Sequence, residues 1–212
     1  MAPLLSLERR TGRSLLRSER GAALIEFAYS LPVVLALGFG GLEAANLALA
    51  HVKTNQIAQS VADNAGRVSP TIDESDINEV FAGATQIGQS INFQANGRIV
   101  LSSLQDNGLS GAQHGQMINW QRCSGSLTSI APAYGVQGKG KTDASLPAMG
   151  PTGRQIQSAV GTAVMFVEVT FQYQPLIPGF PTRQIRYETA FNVRERVNQN
   201  ITNTNSLAVN SC

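Results

Sequence analysis

An arginine-rich tail followed at once by a long apolar stretch constrains this chain more than any other feature. Five arginines and no lysine lie in the first 20 residues, and the apolar stretch runs from Gly21 to Leu42. A segment of about 20 apolar residues is long enough to cross a bilayer, and basic residues resist translocation. The sequence therefore predicts one membrane-inserted helix whose N-terminal tail stays in the cytoplasm.

Glu26 is the unusual residue of this stretch, because a carboxylate at bilayer depth costs roughly 2.5–3.5 kcal/mol. It would be accommodated by snorkelling toward the headgroups or by pairing with Arg20 of the same chain. Alternatively, cleavage after Gly21 would give Ala22 a free ammonium four residues before Glu26, within reach of a neighbouring subunit's carboxylate. In that case the acid favours assembly over the lone subunit.

The helical pattern continues beyond Glu43. One stripe of apolar or small residues recurs at three- and four-residue intervals, comprising Leu47, Ala50, Thr54, Ile57, Val61, Ala65 and Val68. Gly66 and Pro70 then indicate an end to the helix. We expect a basic cytoplasmic leader over 1–21, a transmembrane helix over 22–43, and an amphipathic extension of the same helix over 44–70.

Residues 71–212 have the size and charge of one extracytoplasmic domain. The chain has 212 residues, of which 42% are apolar, enough for one membrane helix and one compact domain. Residues 1–21 carry a net charge of +3, whereas the remainder holds 11 basic and 12 acidic side chains. This nearly neutral body has no basic face that would bind nucleic acid.

The outer domain begins with a helical pattern and continues with strands. Residues 73–76 offer N-caps for a short helix, with Asp76 and Glu79 resembling a capping box. Asn96–Gly97, between apolar residues, favours a two-residue hairpin turn. The glycine- and proline-rich residues 124–155 predict an irregular, partly mobile loop.

The clearest strands come late in the sequence. Apolar and polar residues alternate over 164–173 and again over 185–194, on either side of a proline-rich loop, which predicts an antiparallel pair. The expected fold class is α+β: a long N-terminal helix, transmembrane and then amphipathic, packed on an antiparallel β-sheet.

The segment Gly135–Thr142 satisfies the phosphate-loop pattern, with Lys141 and Thr142 in the phosphate and magnesium roles. A working phosphate loop follows a buried strand and opens a helix, whereas prolines flank this segment. We therefore interpret it as a glycine-rich surface loop and expect no nucleotide partner.

The sequence contains no recognisable catalytic or metal-binding set. His51 and His114 are the two histidines, and neither has a nucleophile or carboxylate partner in a known pattern. The acidic residues between 73 and 79 lack the ligand spacing of a calcium loop. We expect no enzymatic activity, no metal and no cofactor.

Two cysteines are present, Cys123 in the middle of the domain and Cys212 at the C-terminus. Disulfides persist outside the cytoplasm, and pairing would tie the C-terminus back to the domain. Two free thiols are the alternative, because sequence alone does not place the Cα atoms within bridging range.

Residues 18–46 resemble the TadE-like pseudopilins of the tight-adherence (Flp-type) pilus system, a branch of the type IV pilus families. The resemblance rests on Arg20-Gly21-Ala22-Ala23, Ile25-Glu26-Phe27-Ala28, Pro32 and Gly41-Leu42-Glu43. The segment Trp120–Gly125 is similar to a Trp/Cys segment of such proteins, in which a terminal cysteine as partner is also familiar. Ala44 and Ala45 depart from the pattern, because an aromatic residue, glycine or arginine is common there.

The resemblance implies cleavage between Gly21 and Ala22 by a prepilin peptidase, with Glu26 and Phe27 in the cleavage and assembly motif. It implies a minor pilin or pseudopilin in the bacterial inner membrane, with a periplasmic C-terminal domain. Other pilins, pilus assembly proteins and membrane lipid would be its partners, and adhesion to surfaces its purpose. Incorporation into the pilus would carry the protein outside the cell.

The competing hypothesis is a secreted or membrane-anchored extracytoplasmic binding domain without a pilus role. Ala48-Leu49-Ala50 satisfies the small-residue rule of ordinary signal peptidase, and a cut before His51 would release a soluble domain.

Overall fold

The computed structural model describes residues 19–212 of the chain, with side chains described from Gly21 onward. Residues 1–18, most of the predicted basic leader, lie outside the described residues. The chain divides into two compact units, with the boundary between Asn46 and Leu47. The two units are described separately below.

The first unit consists, in its described part, of the N-terminal portion of a single helix. This helix, α1, covers Glu19–Arg67 and contains Pro32. Its sequence is rich in alanine and leucine, which are among the strongest helix formers. Within residues 19–212, α1 is the one helix long and apolar enough to cross a membrane, judged by length and composition. The predicted end near Gly66 is confirmed by the last helical residue, Arg67.

In the second unit, the predicted amphipathic stripe of α1 faces the hydrophobic core. Ala50, Thr54, Ile57, Val61 and Ala65 are each at most 1% exposed. Leu47 and Val68 are partly buried against the same core. The three- and four-residue spacing therefore predicted the packed face correctly, because such residues share one side of a helix.

A second helix, α2, covers Glu74–Gly88, and its presence after residues 73–76 was predicted from the sequence. The position of its capping box was predicted wrongly. Asp73 is the N-cap, and the carboxylate of Asp76, at the third helical position, accepts a hydrogen bond from the Asp73 N–H at 2.8 Å. Asp76 therefore closes the box rather than opening it. The two-residue strand β1, Ile72–Asp73, pairs in parallel with β6, Ile201–Thr202.

The main sheet has four antiparallel strands in the order β3-β2-β4-β5. Their bounds are Gly97–Asp106 for β2, Gln116–Ser124 for β3, Ala163–Tyr173 for β4 and Arg183–Asn192 for β5. The predicted pairing of the two late strands is confirmed, with Glu168 opposite Glu188 near the centre. With a long helix and an antiparallel sheet, the fold class is α+β, as expected.

Both faces of the sheet are covered, which explains why β4 is buried almost throughout despite its alternating sequence. One face packs on the second part of α1 and on α2 through residues such as Met165 and Val167. The other face packs on Leu146 and Met149, which belong to the irregular segment after β3. Between β3 and β4 this segment contains turns and a single bridge, Met149 with Ile156.

The predicted hairpin at Asn96–Gly97 is wrong. Asn96 ends the short helix α3, Phe93–Asn96, and Gly97 begins β2 with φ −126°. A Cβ atom on Gly97 would lie 2.5 Å from the Phe93 ring. The glycine is therefore required for the close approach of an aromatic ring and not for a turn.

Candidate functional site in the N-terminal helical segment

The residues predicted for processing and assembly lie together in the first described turns of α1. Ala22 and Glu26 are four residues apart, which places them one turn apart on the same face of the helix. Both are exposed, as is every residue from Gly21 to Phe39. A Cβ added to Gly21 would meet no atom within 4 Å.

The same segment carries a continuous apolar surface. The exposed fractions are 69% for Leu24, 60% for Phe27 and 78% for Tyr29. Soluble monomers rarely leave so much contiguous apolar area in water. By its length and composition the segment is a candidate membrane span.

Pro32 interrupts the hydrogen bonding of this segment. Because proline has no N–H, the carbonyl of Ala28 lacks its usual helical donor. Two residues before the proline, the Ser30 hydroxyl donates to the Phe27 carbonyl at 3.2 Å. Both features are tolerated in membrane helices, in which side chains and neighbouring helices satisfy freed backbone groups.

Cys123 and Cys212 form the disulfide that the sequence offered as one alternative, with their Cα atoms 5.0 Å apart. The bond joins β3 to the end of the chain. Backbone contacts support it, since the Cys123 N–H donates to the Asn210 carbonyl at 2.8 Å. Arg98 also donates to the Cys212 carbonyl, at 3.4 Å.

A buried ion pair involves Arg122, the residue before Cys123 in β3, and was not anticipated from the sequence. Arg122 and Glu74 are 6% and 2% exposed, and the guanidinium Nε is 2.9 and 3.0 Å from the two carboxylate oxygens. Arg122 also donates to the Gln121 carbonyl and to Gln137. The pair joins the first turn of α2 to β3. A single acidic residue at a helix start gives no sequence signal of such a partner.

A second polar cluster lies on the opposite face of the sheet from α1. Glu168, 4% exposed, accepts hydrogen bonds from Arg186 at 2.8 Å and from the Ala133 N–H at 3.2 Å. Arg186 also donates to Glu188, which accepts the hydroxyl proton of Tyr134 at 2.7 Å. Burial raises the pKa of Glu168 to about 7, and Arg186 opposes that shift. The one available sequence signal was a glutamate in the middle of an apolar strand.

The glycine-rich segment Gly135–Thr142 covers the outer edge of β3. The Ile118 N–H donates to the Lys139 carbonyl at 3.0 Å, and the Gly138 N–H donates to the Ile118 carbonyl at 2.8 Å. Turns and bends follow the segment, not a helix. Its backbone therefore serves strand pairing, and its surroundings lack the helix N-terminus of a phosphate loop.

The histidines and acidic residues considered in the sequence have structural neighbours. The His51 ring nitrogen lies 3.1 Å from the Tyr187 hydroxyl, and His114 lies 2.9 Å from Asp106. Asp73 caps α2 and accepts from Thr202 and Thr204, and backbone N–H donors hold its pKa below the usual range. Among residues 19–212 no group of three or more potential metal ligands occurs.

Comparison with known protein families gives a match that falls on α1. The family model described as TadE-like protein matches residues 21–67. No curated protein and no solved structure matches the chain. The matched segment contains Gly21, Ala22, Glu26 and Phe27 and ends with the last residue of α1. The resemblance stated from the sequence is thus confirmed over this segment, which matches the TadE-like family.

Proposed function

We propose that this protein is a minor pilin or pseudopilin that a prepilin peptidase processes and that enters, or initiates, a tight-adherence-type pilus. Surface attachment would be the purpose of such a filament. One observation carries the proposal: an exposed apolar helical segment places a carboxylate one turn from Ala22, inside the segment that matches the TadE-like family.

The proposed topology is a single pass through the bacterial inner membrane. The arginine-rich tail stays cytoplasmic and residues 22–43 cross the bilayer. The second part of α1 and the disulfide-linked domain are periplasmic, or extracellular within the pilus. The Cys123–Cys212 bond supports this side, because disulfides persist in the periplasm and are rare in the cytosol.

The proposed role of Glu26 is to make the assembled state more stable than the lone subunit. Cleavage after Gly21 places a new ammonium on Ala22, and this cation can neutralise the Glu26 carboxylate of an adjacent subunit in a medium of low dielectric. A lone subunit leaves the carboxylate without that partner. The chain is then a substrate of a peptidase and a structural component, not a catalyst.

A secreted domain released before His51 has less support. Ala50 is 1% exposed, and Thr54 donates to its carbonyl at 2.7 Å. The Ala50–His51 bond therefore lies inside a packed part of the helix. Cutting there would separate Leu47 from the core that it helps to cover.

The mature N-terminus tests the proposal. The protein is purified from cells with an active prepilin peptidase, and its intact mass and N-terminal sequence are measured. We expect Ala22 as the first residue. A protein that begins at His51 would indicate secretion, and one that retains Met1 would indicate a plain membrane anchor; either result would overturn the proposal.

A matched pair of variants sharpens this experiment. Gly21→Ala is expected to leave the leader attached, because the peptidase would read the residue before the cut. Gly38→Ala is the control, since a Cβ at either glycine meets no atom within 4 Å. Equal processing of both variants would count against recognition of Gly21.

A further inference from the structure

The outer edge of β5 presents unpaired backbone groups. β5 is the last strand of the four-stranded sheet, and its register with β4 is unbroken from Arg183 to Asn192. The Val193 N–H donates inward to the Ala163 carbonyl at 2.9 Å. Because inward and outward bonding alternate along an antiparallel strand, odd-numbered residues bond to β4. The outward groups are those of Gln184, Arg186, Glu188 and Ala190.

The two edges of the sheet differ in how far other backbone groups cover them. The edge at β3 is covered by backbone hydrogen bonds from the glycine-rich segment and from the C-terminal tail, through Ile118 and Cys123. At β5, the Arg194 N–H donates to the Gly66 carbonyl at the end of α1. Over 184–190, no other described residue supplies a backbone partner on the outer side. Exposed edges of this kind are templates for a further strand.

A cavity of about 440 Å³ adjoins this edge. Ile156 and Phe166 contribute apolar surface to it, and Arg154, Arg186 and Glu188 contribute charge. Phe166, Arg186 and Glu188 lie on the same face of the sheet, since Phe166 is the neighbour of Ala190 across the strands. Side chains at alternate positions of an added strand would project over this face.

Positively charged side chains outnumber negatively charged ones beside this edge. Arg186 bonds to Glu168 and Glu188, as described above. Arg154 and Arg183 are exposed, and neither guanidinium has a hydrogen bond or ion pair with any residue from 19 to 212. A carboxylate on the incoming strand would supply the missing counter-charge.

We propose that the edge of β5 at Gln184–Ala190 binds an extended segment of another protein by strand addition. The bound segment carries a carboxylate facing Arg154 and, two residues away, an apolar side chain that enters the cavity over Ile156 and Phe166. The main-chain hydrogen bonds supply affinity, and the cavity with its arginine supplies selectivity.

A second copy of this chain is a poorer occupant. The β5 strand of a second copy would bring no free carboxylate to Arg154, because its one acidic residue, Glu188, is already bonded to Arg186 and Tyr134. Parallel pairing in register would set Arg183 and Arg186 beside the same residues of the second copy, and like charges opposite each other are destabilising.

Hydrogen exchange of the full-length chain in lipid nanodiscs is the first test. The amides of Gln184, Arg186, Glu188 and Ala190 should exchange much faster than those of Ile185, Tyr187 and Thr189, which bond to β4. Slow exchange at the four outward amides in the monomer would show that the edge is already covered, and the proposal would fail.

The second test selects binders from a phage-displayed library of random 12-residue peptides on the same full-length protein. We expect recovered peptides to alternate acidic and apolar residues and to slow exchange at the four outward amides. Gln184→Pro removes one outward N–H and should weaken binding by about tenfold, while Gln184→Ala, which keeps that N–H, should leave it unchanged. Arg154→Glu should weaken binding to a similar extent, and Arg154→Lys should retain most of it.

Three outcomes would overturn the proposal. In the first, the library yields no binding peptide. In the second, the selected peptides bind the Gln184→Pro variant as tightly as the unchanged protein, which would mean that the edge is not the binding site. Alternatively, sedimentation shows a dimer that Gln184→Pro abolishes, in which case the occupant is a second copy. None of these outcomes bears on cleavage at Gly21, so the pilin proposal is tested separately.

Discussion

Glu26 is the residue on which the proposed assembly depends. Glu26 lies one turn after Ala22 in α1. A cut after Gly21 would therefore create a cation, the Ala22 ammonium, within one helical turn of the carboxylate. A full negative charge and a full positive charge within a bilayer are each costly alone and become tolerable as a pair. The pairing must occur between subunits for it to drive assembly.

Replacing Glu26 with glutamine removes the negative charge and keeps a side chain of similar shape. Glu26→Gln should be cleaved normally, because the cut site is unchanged. It should nevertheless reduce piliation by tenfold or more, which corresponds to a loss of at least ~1.4 kcal/mol per subunit contact. Piliation is counted by electron microscopy in a strain that carries only the variant. Glu26→Asp, which keeps the charge, should retain part of the function, whereas wild-type piliation by Glu26→Gln would refute the role assigned to the carboxylate.

Glu168 is expected to make the stability of residues 47–212 depend on pH. Its folded pKa, raised by burial to about 7, exceeds the ordinary value of 4.5, so the folded protein holds a proton that the unfolded chain has lost. The stabilising contribution is complete below pH 4.5 and is lost as the pH rises through about 7. Melting temperature should therefore fall between pH 5 and pH 8.

The variant Glu168→Gln isolates this effect. Glutamine keeps an acceptor for the Ala133 N–H and does not titrate, so its melting temperature should vary less over the same pH range. All other titratable groups are common to both proteins and cancel in the difference. Parallel curves for the two proteins would show that Glu168 is not the responsible group.

At the scale of elements, the Glu74–Arg122 pair joins α2 to β3 where the disulfide also begins. Removing one partner leaves the other charged and buried, which costs about 3–5 kcal/mol, whereas replacing both with apolar residues is often neutral. Glu74→Ala should therefore lower the free energy of unfolding strongly. The double change Glu74→Leu with Arg122→Met should recover most of that loss.

Urea unfolding of Glu74→Leu, of Arg122→Met and of the double variant measures this coupling. A double variant as unstable as the sum of the singles would mean that the two side chains do not interact. The matched control is Asp63→Ala, which removes the exposed pair with Arg67 at 2.8 Å. Exposed pairs of this kind contribute about 0–1 kcal/mol.

The elements that sequence predicted well are those with strong local periodicity. The packed face of α1, the presence of α2 and the pairing of β4 with β5 all follow from residues that are close together in the sequence. The pairing of β2 with β4 could not be derived, because nearly 60 residues separate Asp106 from Ala163 and nothing local records the register. The hairpin prediction at Asn96–Gly97 was wrong for a different reason. The pair matches a turn pattern, but the glycine is needed because the Phe93 ring lies against its backbone.

On the scale of the whole molecule, the last 15 residues hold distant parts together. The Gln199 carbonyl accepts the indole proton of Trp120 at 3.0 Å, and the Thr202 hydroxyl donates to Asp73 at 2.7 Å. The side chain of Asn210 donates to Asn78 of α2 at 2.7 Å. The tail therefore contacts the sheet, β1 and α2, and the disulfide fixes its end.

Loss of the disulfide should destabilise the unit 47–212 without abolishing its fold. The bond closes a loop with a sequence separation of 89, and removal of a native bridge typically costs about 2–5 kcal/mol. Cys212→Ser should lower the free energy of unfolding by that amount and accelerate amide exchange in residues 199–212, where single hydrogen bonds then hold the tail. Cys123→Ser should cost the same, and the double variant no more than either, since one bond is lost in each case. Reduction of the wild type should give the same midpoint in urea as the variants; an unchanged midpoint would mean that the tail contacts alone hold the chain end and that the bond adds nothing to stability.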